Sequence, residues 1–120
     1  MMNLYLGITQ SGPYLYLAAL DNEGVAVFKS RFPSNCPPRP IIDSLLMIQK
    51  VFCAPMRIAA CFAESNHHRL LPALQKQFPL VKSFKHSILY STDLIPEDPN
   101  SFPDPYRNPL QLAILTSLDQ

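Results

Sequence analysis

The chain has 120 residues, of which 48% are hydrophobic and 16% charged, and its net charge at pH 7 is +1. This balance predicts one globular domain over 1–120 and excludes both a disordered chain and a second hydrophobic core. The small net charge argues against strong non-specific binding to nucleic acid, because that binding depends on a surplus of basic residues.

Three consecutive strands are predicted at the start of the chain, over 3–10, 14–21 and 25–32. The turn signal Ser11-Gly12-Pro13 separates the first two, and Asp21-Asn22-Glu23-Gly24 separates the second from the third. Asn and Gly tolerate the positive φ of tight turns. Strands joined by such short turns predict an antiparallel meander. The tyrosines of this region are best interpreted as strand packing and not as a base-stacking platform: Tyr5, Tyr14 and Tyr16.

Helices and strands alternate in the remainder of the chain. The predicted elements are a helix over 40–53, a strand over 57–63, a cap, turn and helix over 65–78, a strand over 80–86 and a helix over 109–118. The first helix presents an apolar stripe of Ile41, Leu45, Ile48 and Phe52, widened by Ile42 and Leu46. Asn108 is the expected N-cap of the last helix, followed by proline at its first position.

Prolines cluster at 33–40 and 91–108, which we expect to be two long irregular connections. The resulting order is β-β-β-α-β-α-β-α. It predicts an α/β fold with a mixed five-stranded sheet and helices packed on it. The apolar run 57–63 is typical of a strand buried on both faces, as in parallel sheets.

The cysteines and the N-terminus bear on the compartment. Cys36, Cys53 and Cys61 fit neither a disulfide framework nor a zinc motif, and Cys53 and Cys61 are expected to be small buried hydrophobic residues. MMNLYLGITQ has no basic leader, and no apolar stretch is long enough to cross a membrane. We therefore expect a cytoplasmic protein without membrane association.

Three segments together resemble a known family. LGITQSGPYLYLAALDNEG is similar to the opening strand and hairpin of RuvC-like resolvases and Piv-type DEDD transposases, where the first strand carries an Asp. RIAACFAESNHHRLLPALQKQFPLVKSF resembles the transposases' fourth strand, which ends in a Glu, with the helix and strand that follow. RNPLQLAILTSL resembles their last helix. The resemblance spans most of the chain and implies a ribonuclease H-like fold.

The same resemblance implies where metal ligands would lie. Nucleases of this fold hold two divalent ions, Mg²⁺ or Mn²⁺, between carboxylates. Only Glu64 matches a family ligand, whereas Thr9 takes the place of the first-strand Asp and Asn108 that of the last-helix Asp. Asp104, four residues before Asn108, is a further candidate catalytic residue. Two neutral residues at ligand positions predict a catalytically degenerate domain that needs no cofactor.

Several of these residues also have simpler structural explanations. Thr9 suits a strand, Asn108 suits a helix cap, and Glu64 follows a buried strand as its first polar residue. The adjacent His67 and His68 are more commonly a solvated pair than a metal site. Lys82, Lys85 and Arg69 are candidate nucleic-acid contacts in a segment that an ordinary solvated surface also explains.

Three functions remain open from the sequence. The first is a degenerate nuclease-like domain that binds DNA or a protein partner. The second is an active metal-dependent nuclease or resolvase that uses Glu64 with Asp104, Asp98 or Asp93. The third is an actin-like scaffold module in an assembly, which at this length would act as a homodimer.

Overall fold

The computed structural model describes residues 3–62, 69–78, 80–83 and 106–118. Within them lie five strands and three helices. The strands are β1 (Leu4–Ser11), β2 (Tyr14–Leu20), β3 (Ala26–Pro33), β4 (Met56–Cys61) and β5 (Val81–Ser83). The helices are α1 (Pro38–Phe52), α2 (Leu70–Gln77) and α3 (Arg107–Leu118).

The strands form one mixed sheet in the order β3-β2-β1-β4-β5. β1, β2 and β3 pair antiparallel, whereas β4 pairs parallel to β1, and β5 parallel to β4. The antiparallel meander, the alternating elements and the mixed five-stranded α/β sheet are confirmed. β1 is the central strand, so its residues have neighbours on both sides and helices on both faces.

The first face of the sheet is covered by α1 and α2, and we call it the α1/α2 face. The cluster on this face is built from large aliphatic side chains of three strands, including Leu6, Ile8, Leu17 and Ile58. The helices contribute Ile41, Leu45, Ile48, Leu70 and Leu74 to the same cluster. The 3.6-residue spacing of these helical positions explains why one side of each helix is buried.

The opposite face is covered by α3 and is called the α3 face. Alternate residues of the strands point to it, because successive strand side chains lie on opposite sides of a sheet. Ala59 and Cys61 pack with Leu112 of α3, and Tyr5 and Leu20 pack with Ala113. The sheet is therefore sandwiched between helices, and β1 is buried from both directions.

The hairpin between β2 and β3 is organised by Asp21. The Asp21 carboxylate Oδ1 accepts hydrogen bonds from the backbone N–H groups of Glu23 and Val25, each 2.9 Å long. The backbone N–H of Gly24 donates to the Asp21 carbonyl at 3.1 Å, and Gly24 adopts a φ of 79°. β3 begins at Ala26, so the prediction that it begins at residue 25 was one residue early. Val25 belongs to the turn and is 53% exposed.

Only the middle of the segment 33–40 is a loop, which is shorter than predicted. Pro33 is the last residue of β3, and Pro38 begins α1, where a proline in the first turn costs no helical hydrogen bond. The prediction of a long irregular connection over 33–40 was therefore wrong. The second proline-rich segment, 91–108, lies outside the described residues up to residue 105.

Two predictions on α1 are corrected. Leu46 is 39% exposed and lies outside the buried stripe, because Ile41, Leu45 and Ile48 already fill the side that faces the sheet. Cys53 is exposed and not buried; it ends the helix in the left-handed conformation with a φ of 49°. None of the helices in the described ranges combines the length and apolar character that a membrane crossing requires.

Candidate functional site

The backbone of α3 lies directly against the sheet at Gly7. A Cβ placed on Gly7 would fall 1.8 Å from the carbonyl oxygen of Pro109 and 2.7 Å from its carbonyl carbon. Real atoms do not approach so closely, so only glycine allows the first turn of α3 to lie directly on β1. The packing of α3 on β1 therefore explains why this chain has glycine at position 7.

Small residues continue on both sides of Gly7. Gly7 lies opposite Ala18 in β2 and Ala59 in β4, so the three strands present Gly or Ala side by side beneath α3. Lys29 and Lys82 extend this row on β3 and β5. The floor under the helix is thus apolar and flat at the centre, with a lysine at each margin.

Thr9 and the first turn of α3 lie at the same region of this face. Thr9 is two residues beyond Gly7 on the same side of β1, about 7 Å along the strand. Its register partners are Tyr16 and Cys61, and only 2% of its surface is exposed. Tyr106, which directly precedes α3, packs against Tyr16. The structure therefore brings the start of α3 over the row that contains Thr9.

Asn108 is inside α3 and is not its N-cap. The helix begins at Arg107, and the backbone N–H of Leu110 donates to the Tyr106 carbonyl at 3.0 Å, a helical bond that spans residue 108. Asn108 is half-buried in the first turn. The proline that follows it still lies in that turn, where its missing N–H leaves no broken hydrogen bond.

The acidic candidates fall outside the described residues. Glu64, Asp104, Asp98 and Asp93 are among them, as are His67 and His68. β4, the strand before Glu64, ends at Cys61, level with Thr9. Across the described ranges, no three His, Cys, Asp or Glu side chains are grouped as metal ligands would be.

Cys61 is the one titratable group near Thr9 with a shifted pKa among the described residues. Its side chain is buried against Ala59 and Leu112, and burial raises the pKa of the Cys61 thiol because the thiolate would lose its hydration. Cys61 is therefore a neutral packing residue, as the sequence predicted, and is poorly suited to act as a nucleophile.

A contiguous group of aromatic and cationic side chains lies on the β2–β3 side of the α3 face. We call it the aromatic–cation cluster: Tyr14, Tyr16, Lys29, Arg31 and Tyr106. The Arg31 guanidinium lies 4.4 Å from the centre of the Tyr14 ring, and the Lys29 ammonium lies 5.5 Å from the centre of the Tyr106 ring. These distances are within the range of cation–π attraction.

The three tyrosine rings of the cluster connect these cations. Tyr16 meets the Tyr106 ring edge-on at 5.4 Å and 86°, and lies 6.2 Å from the Tyr14 ring. Tyr14, Tyr16 and Tyr106 are half-buried, whereas Lys29 and Arg31 are exposed. The cluster thus offers partly open rings beside accessible positive charge.

The charges of the sheet and α3 have one sign. The five strands and α3 contain five basic residues and no Asp or Glu: Lys29, Arg31, Arg57, Lys82 and Arg107. The near-neutral total of the chain conceals this, because six of its nine carboxylates lie outside the described residues. The sheet with α3 therefore has an uneven charge that overall composition cannot indicate.

The basic residues predicted from the sequence do not share one surface. Lys82 is exposed on β5, level with Ala59 of the α3 face. Arg69 directly precedes α2, which packs on the α1/α2 face, and Lys85 is outside the described residues. Sequence proximity grouped these residues, but the sheet separates Arg69 from Lys82.

The sequence analysis interpreted Tyr14 and Tyr16 as strand packing and did not predict the aromatic–cation cluster, although a signal for it was present. Tyr14 and Tyr16 are two residues apart on one strand, and Lys29 and Arg31 are two apart on the next, so each pair occupies one side of its strand. The hairpin register places Arg31 opposite Tyr16 and Lys29 opposite Ala18. Tyr106 comes from ninety residues away along the chain, which no local pattern reveals.

Comparison with known proteins adds no family assignment. A scan against protein-family models and a search of curated proteins each found no match to this chain. Inference about function therefore depends on the geometry of the α3 face and on the residues that occupy it.

Proposed function

We propose that the chain is a ribonuclease H-like domain, related to RuvC-type nucleases, that acts by binding a partner and does not cleave nucleic acid by two-metal catalysis. The sheet order β3-β2-β1-β4-β5 supports the first part of this proposal. So do the antiparallel β1–β3 meander, the parallel β4 and the final helix lying over β1, which together match the arrangement expected of that fold.

One observation carries the second part. At the position of the central strand where the resembling nucleases have an Asp, this chain has Thr9, which is 2% exposed beneath the start of α3. A hydroxyl carries no negative charge, and a residue so fully covered offers no open coordination position to a hydrated ion. Hard divalent cations require several carboxylate or carbonyl oxygens that they can reach.

The second neutral position supports the same conclusion. Asn108 takes the place of the last-helix Asp and lies half-buried in the first turn of α3. Replacement of two Asp residues by Thr and Asn removes two negative charges from the region where a two-metal centre would lie. Glu64 alone would then hold a cation weakly. An active site assembled from Glu64 with Asp104, Asp98 or Asp93 is the alternative that experiment must exclude.

A cleavage assay tests the proposal. Labelled four-way junctions, duplexes and single strands of DNA would be incubated with the purified chain in Mg²⁺ or Mn²⁺, beside Glu64→Ala and the matched acidic control Glu23→Ala. We expect no metal-dependent cleavage by any of the three proteins. Cleavage that Glu23→Ala retains and Glu64→Ala loses would establish an active nuclease and contradict the proposal.

A second candidate function, a self-associating scaffold, is favoured by the outer side of α1. Met47 is 65% exposed and Val51 71% exposed, one helical turn apart, with Leu46 beside them at 39%. Exposed apolar side chains grouped in this way favour association. Size-exclusion chromatography with light scattering tests it: a dimer that Met47→Lys/Val51→Lys converts to a monomer supports the scaffold, and a wild-type monomer excludes it.

A further inference from the structure

We propose that the aromatic–cation cluster is a binding site for single-stranded nucleic acid, with the tyrosines contacting bases and Lys29 and Arg31 contacting phosphates. This inference deepens the proposed function and rests on it in one respect, namely that the domain acts by binding. It does not require that the fold belongs to any family, because it depends on the cluster alone.

The chemistry of the cluster selects this ligand class. A stacking surface for bases needs aromatic rings or arginine planes, and the path of the backbone needs positive charge nearby. Tyr14, Tyr16 and Tyr106 supply the rings: Tyr16 lies 6.2 Å from the Tyr14 ring and 5.4 Å from the Tyr106 ring. Arg31 is adjacent to these rings, because its guanidinium lies 4.4 Å from the centre of the Tyr14 ring. The Arg31 side chain is nevertheless exposed to solvent.

Within the described strands and α3, the charge has one sign and suits an anionic ligand. β1–β5 and α3 carry basic residues without an Asp or Glu, so a phosphate near β3 meets no carboxylate from these elements. Lys29 and Arg31 occupy alternate positions on β3, about 7 Å apart along the strand. Successive phosphates of an extended single strand are separated by a similar distance, so both cations can contact one strand.

The position of β3 makes the site accessible. β3 is the edge strand of the sheet, and α3 covers β1, β2 and β4 rather than β3. Basic residues on an edge strand also discourage pairing with other sheets, which is the structural role that the cluster would have without a ligand. Binding measurements on variants separate that role from the proposed one.

The experiment measures binding of a fluorescein-labelled oligothymidylate of about 16 nucleotides by fluorescence anisotropy in EDTA and low salt. The variants are Lys29→Ala/Arg31→Ala and Tyr16→Leu, with Tyr16→Phe retaining the ring. The matched control is Arg39→Ala/Lys50→Ala, which removes the same charge from α1, on the opposite side of the sheet. Circular dichroism would verify folding of each variant.

We expect wild type, the α1 control and Tyr16→Phe to bind alike. Lys29→Ala/Arg31→Ala should bind at least about tenfold more weakly, and the negative slope of log K against log salt should become shallower by about 1.4. Tyr16→Leu should weaken binding several-fold without changing that slope, because stacking releases no counterions. A base-paired duplex of equal length should bind more weakly than the single strand.

Three outcomes would overturn the inference. The cluster would have only a structural role if wild type did not bind the oligonucleotide in low salt. The same would hold if the α1 control lost as much binding affinity as Lys29→Ala/Arg31→Ala. Polyglutamate binding as tightly as the oligonucleotide, with Tyr16→Leu unaffected, would indicate a site for acidic peptides. Because divalent ions are absent, these results are independent of the cleavage assay, so failure here and failure of the proposed function are distinguishable.

Discussion

The two faces of the sheet are covered by helices that pack in different ways. On the α1/α2 face, leucine and isoleucine side chains of the strands interlock with those of two helices. On the α3 face, Gly7, Ala18 and Ala59 allow the backbone of one helix to lie against the strands. The α1/α2 face is stabilised by the packing of large side chains. The α3 face instead requires very small residues at a few positions.

This difference has a functional consequence. The large aliphatic residues of the α1/α2 face form the hydrophobic core. The α3 face instead places a polar residue, Thr9, and the aromatic–cation cluster beside a tightly seated helix. Among the strand residues that the structure describes, the charged side chains therefore lie on the α3 face, and that face is where we expect function.

The largest expected effect is that of Gly7→Ala. The new Cβ would meet the Pro109 carbonyl oxygen, so α3 must move away from β1, and we expect a loss of about 3 kcal/mol or more in the free energy of unfolding. Urea denaturation followed by circular dichroism measures it. Gly12→Ala is the matched control: Gly12 has a φ of 58° with nothing within 4 Å, so its cost is conformational, about 1 kcal/mol. Equal costs at the two positions would mean that α3 is not seated on Gly7.

The next effect concerns Thr9. Thr9→Asp places a carboxylate where 2% of the surface is exposed, and we expect a loss of about 2 kcal/mol in the free energy of unfolding at neutral pH. Thr9→Val keeps the branched shape, adds no charge and removes only the hydroxyl, so its loss should be about 1 kcal/mol. The same denaturation experiment measures both. If Thr9→Asp were neutral in the absence of metal, the site would be open to water or cations, and the distinction between the two faces at this position would be lost.

These positions also indicate how far sequence alone can predict this molecule. The three-stranded meander followed from turn residues, and β4 from its apolar run, because local chemistry determines both. The seating of α3 on Gly7 did not follow, since it joins residues about a hundred positions apart. The N-cap prediction for Asn108 was wrong because Tyr106 already provides the first helical acceptor. The placement of Glu64 and Asp104 remains a prediction, as these residues lie outside the described ranges.

The smallest effect is the pH dependence that Cys61 contributes. Burial raises the pKa of the Cys61 thiol. At a pH above the ordinary pKa of a cysteine thiol, the unfolded chain therefore releases this proton while the folded protein keeps it. The stabilising contribution is thus complete at pH 7 and declines as the pH rises above the ordinary thiol pKa of about 8.5. Over this range wild type should lose slightly more stability than Cys61→Ala. An identical pH dependence in the two proteins would indicate that Cys61 is solvated.

Cation binding measured by isothermal titration calorimetry tests the central proposal most directly: that the α3 face, with neutral Thr9 and Asn108, does not hold a divalent-metal centre. Mn²⁺ would be titrated into wild type, Glu64→Ala and Thr9→Asp/Asn108→Asp, each first verified as folded. The account predicts no measurable heat of binding for wild type or Glu64→Ala, and none for the doubly substituted protein, because a carboxylate at position 9 would be as fully covered as Thr9 is. Binding by wild type that is lost in Glu64→Ala would contradict it.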